Sequence, residues 1–138
     1  IDEKEVIIAG IEKNGYIIAT MIKDILNDIS DIKVTTCSVK INKENPLDKV
    51  FTSVKKEDYE NKSLVLVDDV LNSGATLIYA VKHFLETKIK QFKTAVLINR
   101  NHKKFPVKAD FKGISLSTTS INHVKVRFKD NKAEAFLT

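Results

Sequence analysis

Leu64-Val65-Leu66-Val67-Asp68-Asp69-Val70-Leu71-Asn72-Ser73-Gly74-Ala75-Thr76 is the stretch on which the reading of this chain turns. Its first four residues read as a buried strand running into two adjacent carboxylates, and a short turn of small and hydroxyl residues follows. Leu77, Ile78, Val81, Phe84 and Leu85 then recur at helical spacing, so an amphipathic helix begins where the turn ends. Two acids at a strand end are not buried without partners, because desolvating charge is expensive. Neighbouring sugar hydroxyls satisfy them through charge-assisted hydrogen bonds, and a hard cation such as magnesium is the other natural partner. Nothing bulky stands between Asn72 and Thr76, so backbone amides there can point at an anion. Ser73 and Thr76 add hydroxyls, and the helix adds its positive end. The stretch suits a phosphorylated sugar.

Working outward, Glu5 to Gly10 is a short apolar run ending in glycine and predicts a strand buried on both faces. After Gly15, the spacing of Ile17, Ile18, Met21, Ile22, Ile25, Leu26 and Ile29 predicts a helix with a broad core face. Lys33 to Ile41 is rich in β-branched residues and predicts a strand, and the polar, proline-containing run from Asn42 to Lys49 predicts a loop. A short returning strand is expected at Val50 to Val54, and a polar connector from Lys55 to Lys62. Downstream, Phe92 to Ile98 predicts a strand, and Asn99 to Gly113 an ordered basic loop. Three short β-like runs close the chain, at Ile114 to Ser117, His123 to Phe128 and Ala133 to Leu137. Strands alternating with helices, each helix preceded by a glycine-containing loop, predict an α/β fold on a parallel sheet. Ligands of such sheets sit at the carboxyl ends of the strands, near a topological switch point.

Composition narrows the class. With 138 residues, 43% apolar and 30% charged, the chain is expected to be one globular domain with a real core. No apolar run approaches the roughly 20 residues needed to cross a bilayer, no signal-peptide pattern is present, and no membrane partner is expected. Cys37 is the single cysteine, so no internal disulfide forms, and a cytoplasmic location is the default expectation. The chain opens at Ile1 without an initiator Met, which leaves room for a preceding N-terminal segment. Net charge is +5, and from Arg100 to Lys132 nine Lys/Arg face two Asp. That basic stretch is either a solvated lysine-rich face or a surface for an anion or nucleic acid.

Two other readings of the central motif are weaker. No Lys follows Gly74, so this is not a Walker A loop. Acid pairs also end strands in receiver domains that accept a phosphoryl group, but there the pair belongs to the first strand and a late strand ends in lysine. Here the late strand ends Ile98-Asn99-Arg100.

Val67 to Thr76 resembles the phosphoribosyl-pyrophosphate (PRPP) binding motif of type I phosphoribosyltransferases. Ile8-Ala9-Gly10-Ile11-Glu12-Lys13-Asn14-Gly15 looks like the pyrophosphate loop of that family, and Ala95 to Gly113 resembles its PyrR-type members. Those are pyrimidine-operon attenuation regulators that double as uracil phosphoribosyltransferases. The resemblance covers nearly the whole chain in matching order. It implies one phosphoribosyltransferase domain over residues 1–138, with a central, mostly parallel sheet flanked by helices and a small hood.

By the same resemblance, Asp68 and Asp69 are the catalytic acids and hold the ribose hydroxyls of PRPP, directly or around Mg2+. Asn72, Ser73, Gly74, Ala75 and Thr76 cradle the 5′-phosphate, and Lys13, Asn14 and Gly15 meet the pyrophosphate. Val70, Arg100 and His102 are assigned to the base and hood. A loop histidine beside lysines is, however, more often simply solvated. The implied reaction is displacement of pyrophosphate from PRPP by a ring nitrogen of a pyrimidine base such as uracil. The 6-oxopurine enzymes carry an aspartate where this chain has Asn72, and asparagine cannot do acid–base work at neutral pH. Two departures bear on turnover. The Tyr-Arg-Asp-Asp-like start of the flexible loop reads Val39-Lys40-Ile41-Asn42 with a short loop after it. The hood pattern Asp-Arg-Gly-His reads Asn99-Arg100-Asn101-His102. The competing expectations are therefore an enzyme, an RNA-binding regulator, or a PRPP sensor that has lost catalysis. A homodimer is implied by analogy alone.

Overall fold

The computed structural model describes residues 4–117, 123–130 and 132–137. In chain order the elements are β1 (Glu5–Ile11), α1 (Asn14–Ile29), β2 (Lys33–Lys40), β3 (Phe51–Thr52), α2 (Lys56–Tyr59), β4 (Ser63–Leu71), α3 (Ala75–Phe84), β5 (Gln91–Arg100), β6 (Phe111–Leu116), β7 (Val124–Lys129) and β8 (Lys132–Leu137). Six strands form one sheet in the order β3-β2-β1-β4-β5-β6. Pairing is parallel from β2 through β6, and only the two-residue β3 runs antiparallel, against β2. β7 and β8 make a separate antiparallel hairpin. This is the expected α/β architecture, with helices on both faces of a mostly parallel sheet.

The apolar runs explain why. Each face of β1 and β4 buries its own set of side chains. Ile7, Ala9, Ile11, Leu64 and Leu66 pack beneath α3 with Leu77, Ala80 and Phe84, whereas Ile8 and Val67 pack beneath α1 with Ala19. A strand with no polar face belongs in the middle of a sheet covered on both sides.

Four details differ from the sequence expectation. The core face of α1 is narrower than its isoleucines suggest, since Ile17, Ile25 and Ile29 are exposed while Ile18, Ile22 and Leu26 pack inward. Leu85 is likewise exposed just past α3. The connector after β3 holds a short helix, α2, because Tyr59 is buried edge-on against Phe84 at 5.1 Å between ring centroids. The central strand also runs further than its apolar stretch. β4 leaves β1 at Val67 but stays paired with β5 as far as Leu71. Asp68 and Asp69 therefore lie where the strand has lost one neighbour and kept the other. The order reverses between β1 and β4, which makes this gap the switch point at which α/β sheets take their ligands.

Candidate functional site

Parallel pairing of β1 with β4 brings two distant pieces of sequence together. The chain leaves β1 at Ile11, passes through a cis Glu12–Lys13 peptide and enters α1 at Asn14. A Cβ on Gly15 would stand 2.6 Å from the Val67 carbonyl oxygen and 3.1 Å from the Asp68 Cα. Glycine is thus required for the helix start to rest on the backbone that presents the acids. From there the Asn14 side-chain amide reaches Asp69, donating through Nδ2 to Oδ2 at 2.9 Å.

The two acids differ in environment. Asp68 is 4% exposed. Its Oδ1 accepts the Asp69 N–H at 2.9 Å, and the Lys43 ammonium stands 3.8 Å away. Burial pushes the Asp68 carboxyl up to about 7, a rise that Lys43 opposes and the neighbouring Asp69 reinforces. Asp69 is half-buried and each of its oxygens accepts one bond, Oδ1 from the Val70 N–H at 2.8 Å and Oδ2 from Asn14.

Beyond β4, residues Asn72 to Thr76 turn into α3. Gly74 has φ of 92°, the left-handed region where glycine is unstrained, and its carbonyl accepts the first helical bond, from Ile78 at 2.9 Å. This turn is braced by the segment after β5. The Ser73 carbonyl accepts from the N–H groups of Lys104 at 2.8 Å and Phe105 at 3.1 Å. Arg100 Nη1 donates to Asn72 Oδ1 at 3.1 Å. A Cβ on Gly74 would come within 2.7 Å of Val107. A cavity of about 100 Å³ remains, lined by Lys43, by Asp68 through Leu77 and by Val96. Gly74 offers α3 no side-chain cap; the Ser73 hydroxyl accepts the Ala75 N–H at 3.2 Å, and the next amides and the positive end of the helix are left for an anion.

The structure thus gathers Asp68, Asp69, Val70, Asn72, Ser73, Gly74, Ala75 and Thr76 around one cavity, with Asn14 and Gly15 against its acidic end. Lys13 lies in the adjoining turn. Val70 is buried against Ile98 and Val126. Arg100 and His102 stand outside the lining. Arg100 is buried and holds Asn72, while the Nε2 of His102 is buried without a hydrogen-bond partner rather than solvated. Sequence reasoning missed Lys43, one lysine of a polar loop. That loop is tied by its own side chains, because Asn42 Oδ1 accepts from the N–H groups of Glu44 and Asn45, and both asparagine amides donate to Asp48.

Among the described residues no group of three or more His, Cys, Asp or Glu converges on one point. The donor set still fits magnesium. Asp68 and Asp69 offer hard oxygens, and Asp68 is a buried carboxylate whose nearest cation is a lysine at 3.8 Å. Two carboxylates are what an ion shared with a ligand's phosphates requires, in contrast to an all-protein cage.

The sheet order, the switch-point crevice, and the acid pair leading into a glycine-capped helix start define a protein of the type I phosphoribosyltransferase fold. The phosphoribosyl transferase domain family matches residues 1–132, and the chain belongs to that family. Within it the chain is related to PyrR. The bifunctional protein PyrR of Clostridium acetobutylicum is 32% identical over 133 residues, covering 91% of this chain and 75% of its own length. That of Streptococcus mutans is 29% identical over 134 residues, covering 91% and 76%. A hypoxanthine-guanine phosphoribosyltransferase from Bacillus anthracis superposes with a TM-score of 0.69 at 20% identity, over 85% of this chain and 68% of that one. The hypoxanthine phosphoribosyltransferase of Trypanosoma cruzi, in complex with the product IMP, gives 0.72 at 15% identity, over 89% and 68%. At those identities the likeness speaks for the fold alone. Among the described residues no helix is long and apolar enough to cross a membrane.

Proposed function

We propose that this protein is a PyrR-like regulator whose phosphoribosyl site binds PRPP or a nucleotide and which acts on pyrimidine genes by binding RNA. One observation carries the reading. The phosphate cradle is braced and complete, whereas the loop that would close over a reacting ligand is short, self-bonded through Asn42 and Asp48, and lays Lys43 toward Asp68. Such a site is better built to hold a ligand than to exclude water during turnover. The match over residues 1–132 supports a single domain, and a homodimer belongs to this reading by analogy.

Phosphoribosyl transfer to a pyrimidine such as uracil is the second reading, favoured by the paired acids and by Asn72 in place of an aspartate. In that reaction a ring nitrogen, giving up its proton to water or to the departing pyrophosphate, bonds to the anomeric carbon while the bond to the pyrophosphate oxygen breaks. Positive charge develops on the sugar beside Asp68 and Asp69, and negative charge on a leaving group facing Lys13 and the start of α1. Asp68 and Asp69 would hold magnesium, which would neutralise charge on the phosphates. Asn14 fixes the orientation of Asp69, and the α3 amides hold the 5′-phosphate.

Calorimetry with PRPP and magnesium, followed by pyrophosphate release with a panel of bases, tests both readings on one sample. Micromolar PRPP binding with little or no turnover is expected, along with specific retention of a pyrimidine-operon leader RNA that a nucleotide tunes. Rapid turnover with uracil and no RNA binding would put the enzyme first. Absence of PRPP binding would remove both. RNA affinity should fall steeply with salt as counterions are released. Asp69→Asn should weaken PRPP by roughly tenfold or more, the worth of one charge-assisted hydrogen bond.

A further inference from the structure

The β7–β8 hairpin is not a part of the main sheet. It pairs only with itself, and β8 is exposed along its whole length. Its seat is a small apolar patch, where Val126, flanked by Val124 and Phe128, meets Val70, Ile98, Leu97 and Leu116. In the middle of that patch is one polar contact across a sequence gap of 112 residues. Asn14 Nδ2 donates to the Val126 carbonyl at 3.0 Å.

The same nitrogen also donates to Asp69 Oδ2 at 2.9 Å, so its two hydrogens are both committed. A single carboxamide therefore spans an acid of the cavity and the central backbone of the hairpin. Anchored at Asp69, the amide is held in the orientation that serves Val126; without that anchor it is free to turn away. The opposite face of the hairpin carries Lys125, Arg127, Lys129 and Lys132, with Arg127 bonded to Glu134 at 2.8 Å and lying over the Phe136 ring. A change in the hairpin's seating moves this basic face.

We propose that Asn14 is a positioning residue that couples Asp69 to the seat of the C-terminal hairpin, so that occupancy of the acidic site and docking of the basic hairpin are linked. The identity of the ligand rests on the phosphoribosyl reading above; the link between Asp69 and the hairpin does not. When ligand hydroxyls draw on Asp69, the anchor of the Asn14 amide shifts and the hold on Val126 changes with it. By reciprocity, fixing the hairpin changes ligand affinity by the same factor.

Amide hydrogen exchange over residues 124–137 of the full chain tests this without any ligand. Asn14→Ala and Asp69→Ala should each speed exchange in β7 by about fivefold or more, with the double variant no faster than Asn14→Ala alone, because Asp69 acts through Asn14. Asn14→Asp keeps the side-chain shape and removes both donors, and should loosen the hairpin at least as far. Amides of β1 and β4 serve as the reference for intact folding. Unchanged hairpin exchange in Asp69→Ala, or effects that simply multiply in the double variant, overturns the coupling and leaves Asn14 a strut. The second arm adds saturating PRPP and magnesium, with binding followed by calorimetry on the same samples. The ligand should shift hairpin exchange severalfold in the wild type and not in Asn14→Ala. Bound PRPP without effect on the wild-type hairpin also overturns the proposal. Failure of PRPP to bind removes the functional reading, and the ligand-free cycle still decides the coupling.

Discussion

Gly10→Ala is expected to lower the melting temperature by about 10 °C, because a methyl group there has nowhere to go. Built on the existing backbone, the new Cβ would stand 2.4 Å from both the Gly15 carbonyl oxygen and the Tyr16 Cα, and 2.6 Å from the Gly15 carbonyl carbon. All three are backbone atoms, so no rotamer change relieves the overlap. Either β1 must retreat from β2 and β4, with which it pairs on both sides, or the first turn of α1 must lift off the sheet. Overpacking of a dense interior typically costs 1–3 kcal/mol, and the fixed backbone on every side puts this case at roughly the top of that range. Lifting α1 would also carry Asn14 away from Asp69, so ligand affinity should fall along with stability. Thermal unfolding of the variant checks the first effect and calorimetry the second. A melting temperature within a degree or two of wild type would show that the strand and the helix start have slack this close packing denies.

Asp68→Asn should do the opposite to stability while abolishing ligand binding. The Asp68 carboxyl is pushed up to about 7 in the fold, mainly by burial, against 3.8 for the free group. Between those two values the folded protein holds a proton that the unfolded chain has released. Stability therefore falls as pH rises through that window, and the loss is complete above about pH 7. The gap between 7 and 3.8 sets a ceiling of about 4 kcal/mol. Solvent reaching half-exposed Lys43 and relaxation around the charge bring the expected gain of the neutral amide to about 1–2 kcal/mol at pH 8. Denaturant melts at pH 5, 6, 7 and 8 measure it. The advantage of Asp68→Asn should grow from roughly two-fifths of its full value at pH 5 to all of it at pH 8. An advantage independent of pH, or a loss at pH 8, would mean that the carboxylate is not held in the unfavourable state inferred here. The loss of PRPP binding in the same variant would mark the charge as kept for ligand at a cost in stability.

The relation between these two positions and the sequence is instructive. Glycines at 10 and 15 and acids at 68 and 69 are all visible in the chain as it is written. Their resemblance to a pyrophosphate loop and a PRPP motif correctly indicated the family. What the one-dimensional pattern lacked was reach. β4 looked as if it ended at Val67 because its apolar run ends there, yet pairing with β5 carries the strand through both acids to Leu71. The isoleucines of α1 looked like one broad buried face, but the sheet beneath accommodates only a narrower stripe centred on Ala19. Tyr59 gave no sign inside a lysine-rich connector that it would be buried against Phe84.

By itself, then, the sequence determined the α/β class, the two glycine-dependent helix starts, the acid pair and the small-residue cradle. These are local matters, set by side-chain period, by backbone freedom and by residue type within a few positions. Only the tertiary structure decided which distant groups complete the site. Lys43 beside Asp68, Arg100 on Asn72, the Lys104–Val107 brace behind Ser73 and Gly74, and Asn14 shared between Asp69 and Val126 join residues 25 to 112 positions apart. Such contacts follow from strand order and register, and a lysine, arginine or asparagine in a polar stretch carries no local mark of the partner it will meet.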